Sequence, residues 1–157
     1  MTFREFLDKQ AQQKQQHEER RQRREQWIAA LDRLIKQLSA WLAEADPGRV
    51  LDVVRTDVER AEPGLGTYQA PSLTISLGEA AVLVVPVGRD VVGIVGSQGD
   101  IGIRAEGRVD ITDGIRKYIL YRTLKDGQEK WYALDEHFKA EPLNREQLEK
   151  ILQDLLS

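Results

Sequence analysis

Apolar residues along this chain fall into three regimes, and each predicts a different element. Ile28, Leu31, Ile35, Leu38 and Leu42 recur in steps of three and four, with Trp27, Leu34 and Trp41 in a parallel row seven apart. This stripe is three positions wide per heptad, broader than a two-row coiled-coil seam, so it calls for a sheet or a second copy of the helix to cover it. Over residues 65–103 the periodicity shortens, and β-branched side chains dominate a stretch whose only charges are Glu79, Arg89, Asp90 and Asp100. Such residues suit a pleated, half-buried surface. From residue 144 onward helical spacing returns in Leu148, Ile151, Leu152, Leu155 and Leu156.

Residues 2–45 read as one long helix with unlike halves. Between Gln10 and Gln26 the only aliphatic side chain is Ala11, and the rest is mainly Gln, Glu, Arg and Lys. These residues favour helix without needing burial, and extension from an anchored second half helps them stay helical. Phe3, Phe6 and Leu7 then reappear in the same rows as the distal stripe. The expectation is a polar spacer about 30 Å long with an apolar tip. Spacing-four pairs such as Glu19–Arg23 and Arg21–Glu25 give it a solvated, ion-paired face.

Asp46-Pro47-Gly48 ends this helix, because proline cannot continue it. Residues 50–62 fit helix or strand, and their β-branched content favours strand. Alternation predicts a strand over 73–77, and Gly78-Glu79 a two-residue hairpin with glycine first. Residues 80–87, apolar on both faces, read as a central strand ended or bulged at Pro86. Gly88-Arg89-Asp90 then turns the chain so that 91–95 returns along the sheet. Gly93, Gly96, Gly99 and Gly102 recur every third residue, which implies bulges or close backbone approach. Asp113-Gly114 is a hairpin signal joining strands at 108–111 and 115–123, and Asp126-Gly127 one joining 118–124 to 130–134. Asn144 caps the last helix, with Gln147 three residues on as in a capping box and Leu143 with Leu148 as a staple.

Runs of strands without interleaved helices imply an α+β fold. The expected architecture is a long N-terminal helix, an antiparallel meander of six to eight strands as a curved sheet or partly open barrel, and a C-terminal helix packed on the sheet. Residues 1–26 form the polar arm, and 27–157 a single domain.

Charge and composition narrow the function classes. A net charge of −3 argues against a general nucleic-acid binder. The absence of cysteine excludes disulfides, thiolate metal sites and thiol nucleophiles. Glu5 and Asp8 stand where a secretory signal would be basic then apolar, and the longest apolar run is too short to span a bilayer, so a cytoplasmic protein without membrane contact is expected. His17 and His137 have no histidine partner at ligand spacing, Ser97 lies in no nucleophile elbow, and no phosphate loop is complete. No cofactor is implied.

Three functional readings follow. The first is a non-catalytic accessory or adaptor subunit that docks a larger protein or a second copy through its N-terminal helix. Phe3, Phe6 and Leu7 would be the anchor, with Trp27, Leu34 and Trp41 on the same stripe. The second is a nucleic-acid-binding module using Arg20, Arg21, Arg23 and Arg24 with a sheet face of Tyr118, Trp131 and Tyr132, since stacking aromatics beside cations hold single strands. The third is a metal-dependent hydrolase or nuclease around Asp110 and Asp113, where paired carboxylates would hold a divalent ion.

Overall fold

In the computed structural model, which describes residues 1–96, 102–134, 137 and 139–157, a 43-residue helix α1 (Phe3–Ala45) opens the chain and α2 (Arg145–Leu156) closes it. Between them lie β1 (Asp52–Glu62), β2 (Gly66–Leu77), β3 (Ala80–Gly88), β4 (Ile94–Val95), β5 (Ile103–Arg104), β6 (Arg108–Thr112), β7 (Lys117–Lys125), β8 (Gln128–Leu134) and β9 (Ala140–Pro142). Seven of these form one antiparallel sheet in the order β1-β2-β3-β6-β7-β8-β9, while β4 and β5 pair apart from it as a short ribbon. The sheet is an open meander with β1 and β9 as its edges, in keeping with the curved-sheet α+β architecture that the strand pattern predicts. No helix among the described residues is long and apolar enough to cross a membrane.

The distal half of α1 covers one face of the sheet. Trp27, Ala30, Leu31, Leu34, Ile35, Leu38 and Leu42 are buried against Leu73, Ile75, Val82, Val84, Ile111 and Leu120. Leu148, Ile151, Leu152 and Leu155 of α2 complete the same core. Each aliphatic side chain so buried contributes about 1.5–3 kcal/mol, which makes the sheet, rather than helix propensity, the anchor of α1. Emptying one central position, as in Leu38→Ala, removes roughly 2–5 kcal/mol.

Turn chemistry follows the sequence closely. Gly78 takes φ 61 between β2 and β3, and Asp126 and Gly127 take φ 53 and 74 between β7 and β8, the two left-handed residues of a type I′ hairpin. Asn144 caps α2 by accepting from the Gln147 backbone N–H at 2.8 Å. The capping box is not closed, because the Gln147 side chain donates to Glu141 instead. The register of β3 against β6 shifts between Pro86 and Gly88, the expected bulge. Residues 52–62 are a strand, and β2 starts seven residues before the alternation at 73–77 that revealed it.

Two readings are corrected. Residues 80–87 are not covered on both faces: Val82 and Val84 are in the core, but Leu83 and Val87 are 42% and 41% exposed on the far side. Residues 91–95 do not return along β3. Its next neighbour is β6, where Val84 opposite Ile111 continues the core row, and β4 and β5, which come between them in the chain, stay outside that sheet. The ribbon folds over the outer face, where Val95 and Ala105 bury Tyr121 with Val91, Ile119 and Tyr132 against them. Gly93 makes that approach possible, since a Cβ there would lie 2.7 Å from the Tyr121 ring. Of the glycine series, Gly99 lies outside the described residues, as do Ser97 and Asp100.

Candidate partner-docking site

The tip of α1 is a finished helix end. Thr2 accepts from the Glu5 backbone N–H and the Glu5 carboxylate accepts from the Thr2 N–H, each at 3.1 Å, so two orphan donors are satisfied reciprocally. This T-x-x-E box is present in the sequence, although the reading of residues 2–45 as one helix rests on the apolar rows and helix-forming composition instead. One turn inside it, the Phe3 and Phe6 rings stack with centroids 6.3 Å apart. Phe3, Phe6 and Leu7 are 75%, 44% and 49% exposed. Three large apolar side chains thus share one exposed helix face, outside the core formed by the described residues.

Behind the tip the spacer is held by its own charges. Arg21 donates to Glu18 at 2.5 Å and to Glu25 at 3.0 Å, and the Arg21 guanidinium draws the Glu18 carboxyl below its ordinary range. Exposed pairs of this kind each add little, yet they favour the helical state. The expected Glu19–Arg23 pair does not form. Arg23 and Arg24 instead donate to the Gly64 and Leu65 carbonyls, at 3.1 and 3.0 Å, and so pin the helix to the β1–β2 turn. Arg20 lies with His17 in the notch between α1 and Pro63-Gly64. The arginine cluster is therefore divided between helix pairing, turn anchoring and one open notch.

The root of the arm is Trp27, fully buried. Its Nε1–H donates to the Tyr68 hydroxyl at 3.1 Å, and Tyr68 donates in turn to Glu62. The Glu62 carboxylate also accepts the backbone N–H groups of Arg89 and Asp90, at 2.9 and 3.0 Å. Burial, then the bond to Glu62, pushes the Tyr68 phenol well above its usual range. On the other side, Arg122 sits over the Trp27 ring at 5.9 Å, a cation–π distance. Only 5% of Arg122 is exposed, its Nε is buried without a hydrogen-bond partner among the described residues, and desolvation lowers its pKa. Its terminal nitrogens reach the Glu106 carbonyl at 3.2 Å and Glu129 at 3.6 Å. The point where the arm leaves the domain is thus fixed by aromatic packing, a hydrogen-bond relay and a buried cation.

Of the remaining stripe residues, Leu34 is buried in the core, whereas Trp41 is half-buried and lines a groove of about 440 Å³ with Trp131 and Leu143. Trp27 and Leu34 are thus engaged by the chain's own sheet, and the tip residues are the exposed members of the set.

The aromatic trio does not form one platform. Tyr118 donates to Asp154 of α2 at 2.6 Å, and Trp131 lies 6.1 Å from Trp27 on the helix-covered face. Tyr132 belongs to the cluster under the ribbon on the opposite face. Asp110 and Asp113 are also apart in role. Arg108 donates to both Asp110 oxygens, at 2.8 and 3.0 Å. Asp113 accepts from the Ile115 and Arg116 N–H groups within its own turn, which draw its carboxyl below the ordinary range. Among the described residues no three acidic or histidine side chains gather as a metal site.

Tyr68, Glu62, Gly107 and Arg122 were not singled out by sequence pattern. Their partners lie far along the chain, 41 residues from Trp27 to Tyr68 for example, so no local period marks them. No protein-family model matches the chain, and no curated protein or solved structure is significantly similar to it.

Proposed function

We propose that this chain is a non-catalytic accessory or adaptor subunit that docks a larger protein through the tip of α1. The observation that carries this reading is the exposed Phe3–Phe6–Leu7 face at the end of a capped, self-paired helix. An apolar helix face of this kind is the ligand half of helix-in-groove recognition. About 20 residues of polar helix separate the tip from the root at Trp27, which places the anchor roughly 30 Å out. The root network supports the same reading, because a rigidly held arm loses less freedom on binding than a floppy one.

The test is affinity recovery of partners with the tagged full-length chain and with a Phe3→Ala/Phe6→Ala/Leu7→Ala variant. None of the three residues contributes to the core, so the variant keeps the fold and melts with the parent. Loss of the co-purifying partner supports docking through the tip; an identical set of partners from both proteins refutes it.

A further inference from the structure

The two edges of the sheet are unlike. β9 is three residues long and ends in Pro142, a poor template for a further strand. β1 runs for eleven residues without proline, and all eleven pair with β2 in one unbroken register. β2 is its one neighbour in the sheet, so alternate N–H and C=O groups along β1 face away from it, and of these the Glu59 carbonyl accepts from the Arg60 guanidinium at 3.3 Å. A long, regular, uncovered edge is a standing template for another strand unless its side chains forbid pairing.

The side chains of β1 are selective rather than forbidding. Opposed residues in an antiparallel pair must lie on the same face, so two copies of β1 have access only to every second register. With Thr56 facing Thr56 of a second copy, Asp52 stands opposite Arg60 and Arg55 opposite Asp57, each twice by symmetry, and Val54 faces Val58. No like charges meet. Moving the centre to Arg55 sets that arginine against itself. Moving it to Asp57 sets Asp57 against itself and Asp52 against Glu62, and moving it to Val58 sets Asp57 against Glu59. Directly opposed charges stabilise or destabilise a sheet according to sign, so the strand accepts itself in one register and resists the adjacent ones.

Most of the groups concerned are accessible, whereas Val58 and Arg60 are half-buried. Arg60 Nε already donates to the Pro86 carbonyl at 2.9 Å, which with Nη1 on the Glu59 carbonyl leaves Nη2 for Asp52. Asp52, Val54, Arg55, Thr56 and Asp57 are all exposed. Arg55 uses one terminal nitrogen on Asp32 at 2.7 Å and keeps the rest of its fork for a second carboxylate.

We propose that two copies of this chain join through β1, pairing antiparallel about Thr56 so that their sheets continue into one. This interface is separate from the tip of α1. It places two arms on one assembly, which raises the avidity for any partner with two sites.

Sedimentation of the full-length chain tests it. The expected mass is twice 17.9 kDa, and Asp57→Lys, which turns both Arg55 pairs repulsive, weakens the dimer by about tenfold or more. Register is read by cross-linking, which the absence of cysteine makes clean. Under mild oxidation Thr56→Cys forms a disulfide with its own copy. Val54→Cys alone does not, but a mixture of Val54→Cys and Val58→Cys does. A monomer at the highest soluble concentration overturns the proposal. So does a dimer that Thr56→Cys fails to cross-link, or one lost in the triple tip variant, since either puts the contact elsewhere.

Discussion

The ring of Trp27 occupies the space that a side chain on residue 107 would need. A Cβ on Gly107 would come within 2.5 Å of Trp27 Cη2, and the backbone there has φ +149, which L side chains rarely adopt. Gly107 ends the excursion that carries the ribbon, and Arg89 and Asp90 at its start are held by Glu62. The root of the arm therefore touches one end of this excursion at Gly107 and is linked to the other through Tyr68 and Glu62. Gly107→Ala is expected to cost about 2–4 kcal/mol through strain and overpacking, read as a lower urea midpoint with an unchanged slope. Trp27→Ala should cost about 3–5 kcal/mol.

Tyr68→Phe removes the middle of the relay, leaving Trp27 Nε1 without its acceptor and Glu62 Oε2 without the Tyr68 donor, while Glu62 Oε1 keeps the Arg89 and Asp90 N–H groups. The expected loss is about 1–3 kcal/mol at neutral pH. Its pH dependence has a definite sign. The folded chain holds the phenolic proton more tightly than the unfolded chain, so this contribution is complete below about pH 10 and disappears as pH rises through the folded value. Alkaline denaturation monitored by tyrosinate absorbance should show Tyr68 ionising only as the chain unfolds, and the variant should lose stability less steeply on that limb.

Arg122 and Glu129 should respond unequally to removal. Glu129 accepts from Arg33 at 2.5 Å and from the Trp131 indole at 3.1 Å besides lying near Arg122. Glu129→Ala therefore strands a buried cation and an indole donor together, at a cost of about 3 kcal/mol. Arg122→Met keeps the stem over Trp27 and removes a desolvated charge, and its effect should stay within about 1 kcal/mol. Chemical denaturation of both variants checks the order, and the reverse order would mean that the cation–π contact dominates.

Gly93→Ala acts on the ribbon alone. A methyl group there meets the Tyr121 ring at 2.7 Å, so the ribbon must lift while the opposite face keeps its core. Hydrogen exchange should rise at Ala105, whose N–H donates to the Gly93 carbonyl at 2.8 Å, with protection in β3 and β6 retained.

Asp113 should titrate below ordinary aspartates. Because its folded value is depressed by two backbone donors, its contribution is present above the unfolded value and lost as pH falls through the folded one. Side-chain NMR of the carboxyl group across the acid range measures the midpoint directly.

Much of this fold could be read locally. Heptad rows gave α1 its buried face, Asp126-Gly127 supplied two adjacent left-handed residues, and Asn144 marked the start of α2, because each depends on residues a few positions apart. What local pattern could not supply was pairing at a distance. Val91–Val95 carries the same β-branched signal as a sheet strand, and only the fit of β6 against β3 and of Gly93 on Tyr121 diverts it. Arg122 carries no local signal of its own, and its burial follows from Trp27, a residue 95 positions earlier that the helix brings over it. The apolar tip was legible because Phe3, Phe6 and Leu7 lie within one helical turn, and all three are exposed.

An unbroken helix from Phe3 to a clamped Trp27 acts as a ruler with a phase. Each residue removed from the spacer retracts the tip by about 1.5 Å and turns it by about 100°. Cutting one heptad from 10–16 would shorten the reach by roughly 10 Å yet present Phe3, Phe6 and Leu7 in nearly the same direction. Cutting two residues would leave the reach almost intact and aim the anchor the other way. On the docking role proposed above, a partner would read both the distance and the heading of the tip, and the length of the spacer sets the two together.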